Sequence, residues 1–425
     1  DEQSGEAGTG PMVEVIDYGI ARHNYLTIIQ EVDCTKKDRC QEKKSKDKYG
    51  HGTHVAGVIA GSGRESRGVY RGISDNGELF SLRALDDEGG GKTSSVLNAL
   101  DWVMANGRDY GVRVVNLSLG KPITESCDID PLCVAVEQVW NEGFVVVASA
   151  GNYGEYGNFT VTSPGNAPGI ITVGSLTDNG TMELEDDYIS SYSSRGPTAF
   201  DLVLKPDLLA PGNRIISTAS GKQLLKKEVG NSGLDCRGNC RQEYAELSGT
   251  SMAAAIVSGA AAIMLDEDPY LSPATVKARL MRSARKIPGD AIAVGAGVVN
   301  IAAALEEDGY VSGEAVSPKV KLDEEGNVIV QDTSQLWGAD WPAEEIWSDG
   351  YLWANNMPES IIPSGYLWAN IWDGAAENEA TGVFAGGYLW ANGYLWANGY
   401  LWANGYLWAN LLKEDNRLRV LTRGD

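Results

Sequence analysis

The stretch Ser248-Gly249-Thr250-Ser251-Met252-Ala253-Ala254-Ala255-Ile256-Val257-Ser258-Gly259, which stays apolar to Leu265, decides the fold. Between Met252 and Leu265 only Ser258 is polar. A helix that is apolar all round belongs at the centre of a domain. Its alanines and glycine let neighbouring backbones come close. Ser251 stands at or just before the first turn, where backbone N–H groups are unpaired and the helix dipole is positive. Such an end favours the negative charge that develops when a serine attacks a carbonyl. Taken alone, Ser251 could equally cap a buried helix, since serine is a preferred cap. The other motifs decide between the two.

Working outward, the chain alternates short apolar runs with helical patterns. Residues 12–16 read as a strand that ends at Asp17-Tyr18-Gly19-Ile20. The segment Tyr49-Gly50-His51-Gly52-Thr53-His54-Val55-Ala56-Gly57 opens a helix and holds two of the three histidines; the third, His23, reads as a surface residue. Residues 79–85, 112–117, 144–148 and 170–174 read as strands. Val96, Leu97, Leu100, Val103 and Met104 recur at helical spacing, and 134–140 and 273–283 follow the same pattern. Strands separated by helices predict an α/β fold: a doubly wound, mostly parallel sheet with helices on both faces. Functional residues then belong at the carboxyl ends of the strands, where Asp17 and Asn152 both fall.

The expected division is a catalytic domain over 1–309, a linker over 310–334 with one strand at 328–330, a repeat region over 335–412 and a charged tail over 413–425. The hexapeptide Gly-Tyr-Leu-Trp-Ala-Asn occurs at 350–355 and 365–370, then four times in tandem over 387–410. Ten of the 12 tryptophans lie in 337–408, which marks this segment off chemically from the rest. An even period keeps Tyr, Trp and Asn on one strand face in every copy, suiting stacked strands or a short solenoid. Such an aromatic face fits contact with polysaccharide or the cell envelope, though a low-complexity strip that simply packs on the catalytic domain is the stronger expectation.

The formal net charge of −23 argues against nucleic acid or an anionic membrane as partner. No uninterrupted apolar run reads as a membrane span. The chain starts at Asp1 without a charged-then-apolar leader, as expected of a processed form or a fragment. Six cysteines fall in three tight pairs, Cys34/Cys40, Cys127/Cys133 and Cys236/Cys240. The clustering favours three local bridges and an oxidising, extracellular compartment. Without Cys-x-x-Cys, and with so few histidines, no metal site is predicted.

An aspartate at a strand end, a histidine in a glycine-rich helix start and a serine at a helix start thus occur in that order. Together with His51-Gly52-Thr53-His54-Val55-Ala56-Gly57 and Gly249-Thr250-Ser251-Met252-Ala253, they resemble the subtilisin family of serine peptidases, whose Asp…His…Ser order is already known. The resemblance covers roughly residues 8 to 305. It includes Asn116-Leu117-Ser118-Leu119-Gly120, Ala150-Gly151-Asn152, Ser193-Ser194-Arg195-Gly196-Pro197 and Lys205-Pro206-Asp207-Leu208-Leu209-Ala210-Pro211-Gly212. It implies a secreted endopeptidase acting on polypeptides, with Ser251 as nucleophile, His51 as base and then acid, and Asp17 orienting the imidazole. Asn152 would hold the oxyanion with the Ser251 N–H. Ser118, Leu119, Gly120 and Gly151 would bind the extended substrate by strand pairing. His54 would be a packing residue of the motif. Glu155, just past Asn152, could favour basic substrate side chains.

Departures from the family pattern are Tyr18 after the aspartate, where Ser or Thr is usual, and Ala255 and Ile256, where Pro and His are common. The cysteine loop before Ser251 could narrow the cleft. No cofactor is needed for the implied chemistry. Structural calcium is compatible with the resemblance, but loop 62–69 carries no recognisable calcium-binding pattern.

Overall fold

The structure is a computed structural model that describes residues 12–330 apart from 37–38, 45, 76, 182–183, 231–233, 235–239, 288 and 323–327. The hexapeptide repeats, the charged tail and Cys236 lie outside the described residues.

Nine strands form the main sheet: β1 (Met12–Asp17), β2 (Thr27–Asp33), β3 (Gln41–Glu42), β4 (Glu78–Arg83), β5 (Val112–Leu117), β6 (Val145–Ser149), β7 (Ile171–Thr177), β8 (Tyr188–Ile189) and β9 (Leu208–Pro211). Their order is β3-β2-β4-β1-β5-β6-β7-β8, with β9 also pairing β7. Only the two-residue edge strands β3 and β8 run antiparallel to their neighbours. The interior strands are parallel and buried, in keeping with their Val, Ile and Leu content.

The connecting helices are α1 (His51–Ala60), α2 (Thr93–Asn106), α3 (Pro131–Asn141) and, after short α4 (Leu224–Val229) and α5 (Cys240–Glu243), the long α6 (Thr250–Glu267), then α7 (Pro273–Arg282), α8 (Ala291–Val294) and α9 (Ile301–Glu306). They cover both faces. Ser258 of α6 donates to Asn116 Oδ1 of β5 at 2.9 Å, and Asn116 lies level with Ser81 of β4 across the sheet. Phe80, one residue before Ser81 and so on the opposite face, packs on Trp102 of α2 with ring centroids 5.1 Å apart.

Helix α6 is the centre of the domain. Among the described residues it is the one helix long and apolar enough to cross a membrane, yet 83% of it is buried inside the protein. Its small residues have a specific use. A Cβ added at Gly259 would lie 2.7 Å from Cβ of Ile73 and 3.4 Å from the Ile59 carbonyl, so α1 and its following loop sit directly on α6.

A two-stranded ribbon, β10 (Ile215–Thr218) and β11 (Tyr244–Leu247), leads into α6. His54 is buried beneath it. Its Nε2 donates to the carbonyls of Ile215 and Ala245 at 3.1 and 3.0 Å, tying α1 to both strands. Burial pushes the His54 pKa down to about 3, so the ring is neutral and structural. His23, read above as a surface residue, is instead covered: its side chain is 7% exposed and its Nδ1 lies 3.2 Å from Glu243 Oε2. Burial, the larger effect, lowers its pKa against the pull of that carboxylate.

Disulfides join Cys34 to Cys40 and Cys127 to Cys133. Cys240 is also disulfide-bonded. The chain past residue 309 does not leave the domain at once. Val311, Ala315, Ser317 and Val320 are buried, and Leu204 N–H donates to the Pro318 carbonyl at 2.8 Å. Lys277 of α7 is wholly buried; its Nζ donates to the carbonyls of Gly169 and Ala315 and to Ser317 Oγ at 3.0, 2.8 and 3.0 Å. Then β12 (Val320–Leu322) pairs antiparallel with β13 (Val328–Val330).

Candidate active site

Asp17 is the last residue of β1, and Val15 pairs with Asn116 of β5, so Ser118 lies level with Asp17 at the carboxyl edge of the sheet. Ser118 Oγ donates to the Ser251 carbonyl at 2.9 Å, which brings the first turn of α6 to the same edge. His51 Nδ1 meets Asp17 at 2.9 Å at this same edge, so the first turns of α1 and α6 lie at one end of the domain. Asp17, His51 and Ser251 thus converge from three distant parts of the chain.

His51 is the first residue of α1 and is fully buried. Its Nδ1 sits 2.9 Å from Asp17 Oδ2 and 3.1 Å from Oδ1. The carboxylate can only accept here, so Nδ1 carries the proton and Nε2 is left as the basic nitrogen. Nε2 is buried and has no hydrogen-bond partner among the described residues. Ser251 Oγ instead donates to the Ser118 carbonyl at 3.3 Å. The hydroxyl and the imidazole are therefore not bonded to each other in this conformation. Catalytic hydrogen bonds often tighten only with substrate bound.

The geometry depends on Gly52. A side chain there would place Cβ 2.2 Å from the Gly19 carbonyl and 3.0 Å from Asp17 Oδ1, so only glycine lets α1 approach the aspartate. The start of α1 is anchored by a residue that sequence reading passed over. Asp47 is buried and accepts from Gly50 N–H at 2.7 Å, from Thr53 N–H at 2.9 Å and from Thr53 Oγ1 at 2.6 Å. It thereby satisfies N–H groups that a helix start leaves open. Burial raises its pKa to about 6 despite those hydrogen bonds. Tyr18 is also buried, its ring 4.6 Å from that of Tyr49 and edge-on to His51 at 6.1 Å. The bulk beside Asp17 is thus packed inward on the aromatic side of the histidine.

Asn152 is held by its oxygen. Its Oδ1 accepts from the Thr250 N–H and Oγ1, both at 2.9 Å, which fixes which end of the amide faces Thr250 and turns the NH2 end away from it. Asn152 and Ser251 line one small cavity together with Ser118, Leu119, Gly120 and Gly151. The predicted substrate residues therefore share one opening with the predicted nucleophile. Glu155 does not line it. Thr162 and Thr250 do, and sequence reading missed both. Thr250 had a signal in its place beside Ser251; Thr162 sits in an irregular segment with none. Among the described residues, no group of three or more His, Cys, Asp or Glu is placed to hold a metal ion.

Comparison with known proteins shows which family the chain belongs to. The model of the Subtilase family matches residues 8–302. Serine protease AprX of Bacillus subtilis (strain 168) is 37% identical over 301 residues, covering 69% of this chain and 65% of that protein, so the chain spans just under two thirds of AprX. Subtilisin DY of Bacillus licheniformis is 31% identical over 307 residues, covering 72% of this chain and 94% of that protein. Among solved structures, sphericase superposes with a TM-score of 0.57 at 26% identity, over 69% of this chain and 92% of its own. The chain belongs to the Subtilase family, the family of subtilisin-like serine proteases.

Proposed function

We propose that the protein is a secreted serine endopeptidase that hydrolyses peptide bonds through an acyl-enzyme. The observation that carries this reading is the buried Asp17–His51 pair at 2.9 Å, with an unpartnered Nε2 at the end of the domain where Ser251 opens α6. Ser251 Oγ attacks the scissile carbonyl while His51 Nε2 takes its proton. Asp17 holds the tautomer and stabilises the imidazolium. The oxyanion lies between the Ser251 N–H, at the positive end of α6, and the Asn152 amide. His51 then returns the proton to the leaving amine. Water repeats the sequence on the acyl-enzyme, which frees the acid product and restores Ser251. Every step uses protein groups, so no cofactor is required. The disulfides support an extracellular setting.

Ser251→Ala should abolish cleavage of casein while leaving the thermal transition unchanged. A folded Ser251→Ala protein that still cleaves casein at the wild-type rate would refute the assignment. A contact of the aromatic repeats with polysaccharide or envelope remains part of the proposal; binding of the full chain to insoluble polysaccharide, compared with a chain ending at 330, tests it.

A further inference from the structure

We infer that Gln223 is a positioning residue for the Asp17–His51 pair, and that the long connection between β10 and β11 delivers it there. The inference rests on the peptidase reading above and adds a residue on which that chemistry depends. Thr218, the last residue of β10, pairs directly with Tyr244, the first of β11. A two-residue turn could join such strands. The chain instead makes an excursion over residues 219–243, closed at its neck where the Ala219 N–H donates to the Glu243 carbonyl at 2.8 Å.

The excursion docks on the chain just ahead of His51. The first N–H groups of a helix are open donors. In α4 they are used: Leu224 N–H donates to the Lys48 carbonyl and Leu225 N–H to the Tyr49 carbonyl, both at 3.0 Å. Gln223, immediately before α4, is 3% exposed. It lies against the residue that precedes His51, since a Cβ on Gly50 would sit 3.0 Å from Gln223 Cβ. Its Oε1 accepts from the Ser220 N–H at 2.6 Å, which fixes which end of the amide turns inward. Nε2 then donates to the Asp47 carbonyl at 3.2 Å and to Thr53 Oγ1 at 2.8 Å, and lies 3.4 Å from Asp47 Oδ2.

Thr53 Oγ1 is the junction. A hydroxyl has one hydrogen to donate and two lone pairs with which to accept. Its hydrogen goes to Asp47 Oδ2 at 2.6 Å, and its lone pairs take Gln223 Nε2 at 2.8 Å and the Ala21 N–H at 2.9 Å. Thr53 stands two residues after His51, and Ala21 four after Asp17. One buried, saturated hydroxyl therefore ties the chain behind the carboxylate to the helix start that carries the imidazole. A buried polar network is rigid when every member is satisfied and loses that rigidity when one is not. Gln223 fills the last place, and it does so without lying in the cavity beside Ser251.

The test uses the full chain and a short peptide amide. Gln223→Leu, similar in size but without the amide, should lower kcat about 10-fold and leave KM within about 2-fold, because misplacement of the pair acts on the chemical step. Thr53→Val should lower kcat at least as far. Adding Gln223→Leu to it should cost no more than ~2-fold further, since residues that act through one hydroxyl are not additive. Thr53→Ser keeps the hydroxyl and should stay within about 2-fold of the wild type. Should Thr53→Val fail to fold, Gln223→Leu placed on Thr53→Ser should still cost its full 10-fold, read as about 10-fold in kcat. Unchanged kcat in folded Gln223→Leu would overturn the inference, as would full additivity with Thr53→Val or a loss confined to KM. Fluorophosphonate labelling of the same preparations separates this inference from the reading beneath it. Wild type that labels and cleaves, beside a Gln223→Leu protein that does both at the same rate, refutes the role of Gln223 alone. Folded wild type that neither labels nor cleaves refutes the peptidase reading and the inference with it.

Discussion

Gly52 and Asp17 approach so closely that a single methyl on Gly52 would come within 3.0 Å of the Asp17 carboxylate. The backbone of Gly19 lies nearer still, at 2.2 Å, and cannot swing aside as a side chain could. Gly52→Ala must therefore push α1 off β1 and carry His51 with it. Displacement of a reacting group by about 1 Å can cost on the order of 100-fold in rate. The expected outcome is a loss of that size in kcat with a smaller change in KM, read on a short peptide amide. Unchanged kcat would show that the Asp17–His51 spacing is not set by this contact.

Asp47 holds the same helix start from outside. Asp47→Ala removes the acceptor for two backbone N–H groups and the Thr53 hydroxyl in a buried place. Leaving buried donors unpaired costs about 1–3 kcal/mol for each group. Thermal unfolding should move down by several degrees, and kcat should fall because His51 is the residue the cap positions. A stable variant with full activity would contradict this.

Glu14 lies in β1 with both carboxylate oxygens buried and, among the described residues, without a hydrogen-bond partner. Burial raises its pKa well above the ordinary carboxylate value. Between the unfolded and folded pKa values the native state holds the extra proton, so stability falls as pH rises through that window. Glu14→Gln removes the titration. Urea unfolding from pH 4 upward should show the wild type losing stability relative to the variant. Parallel curves would contradict it.

The segment after 309 closes over Lys277. Ending the chain at 309 removes the Ala315 and Ser317 acceptors and strips Asp207 of the Ser317 hydroxyl that donates to it at 2.5 Å. Each lost hydrogen bond to a buried charged group is worth about 1.5–3 kcal/mol. A chain ending at 309 should therefore melt well below one ending at 330, and equal melting temperatures would refute the role of the strap.

Much of this architecture is legible in the sequence because it rests on local patterns. Apolar runs interrupted by helical spacing mark β1, β5 and α6, and the histidine and serine motifs mark helix starts. What stays hidden depends on contacts between distant segments. Thr162 acquires its place only when Lys121 and Ser163 exchange their backbone hydrogen bonds. Ser317 is legible as linker until Lys277 is seen to need it. Glu14 breaks the apolar pattern of its strand, and nothing nearby in sequence signals that it is buried. His23 is covered by Tyr25, with ring centroids 5.4 Å apart, and by Glu243, 220 positions away, a contact no local pattern signals.

In the proposed mechanism His51 makes Ser251 nucleophilic. Peptide mapping of the full chain after reaction with a fluorophosphonate tests this most directly. The predicted result is one adduct per chain, on Ser251, absent from folded His51→Ala. Folded wild-type protein that takes no label, or takes it equally well without His51, would contradict it.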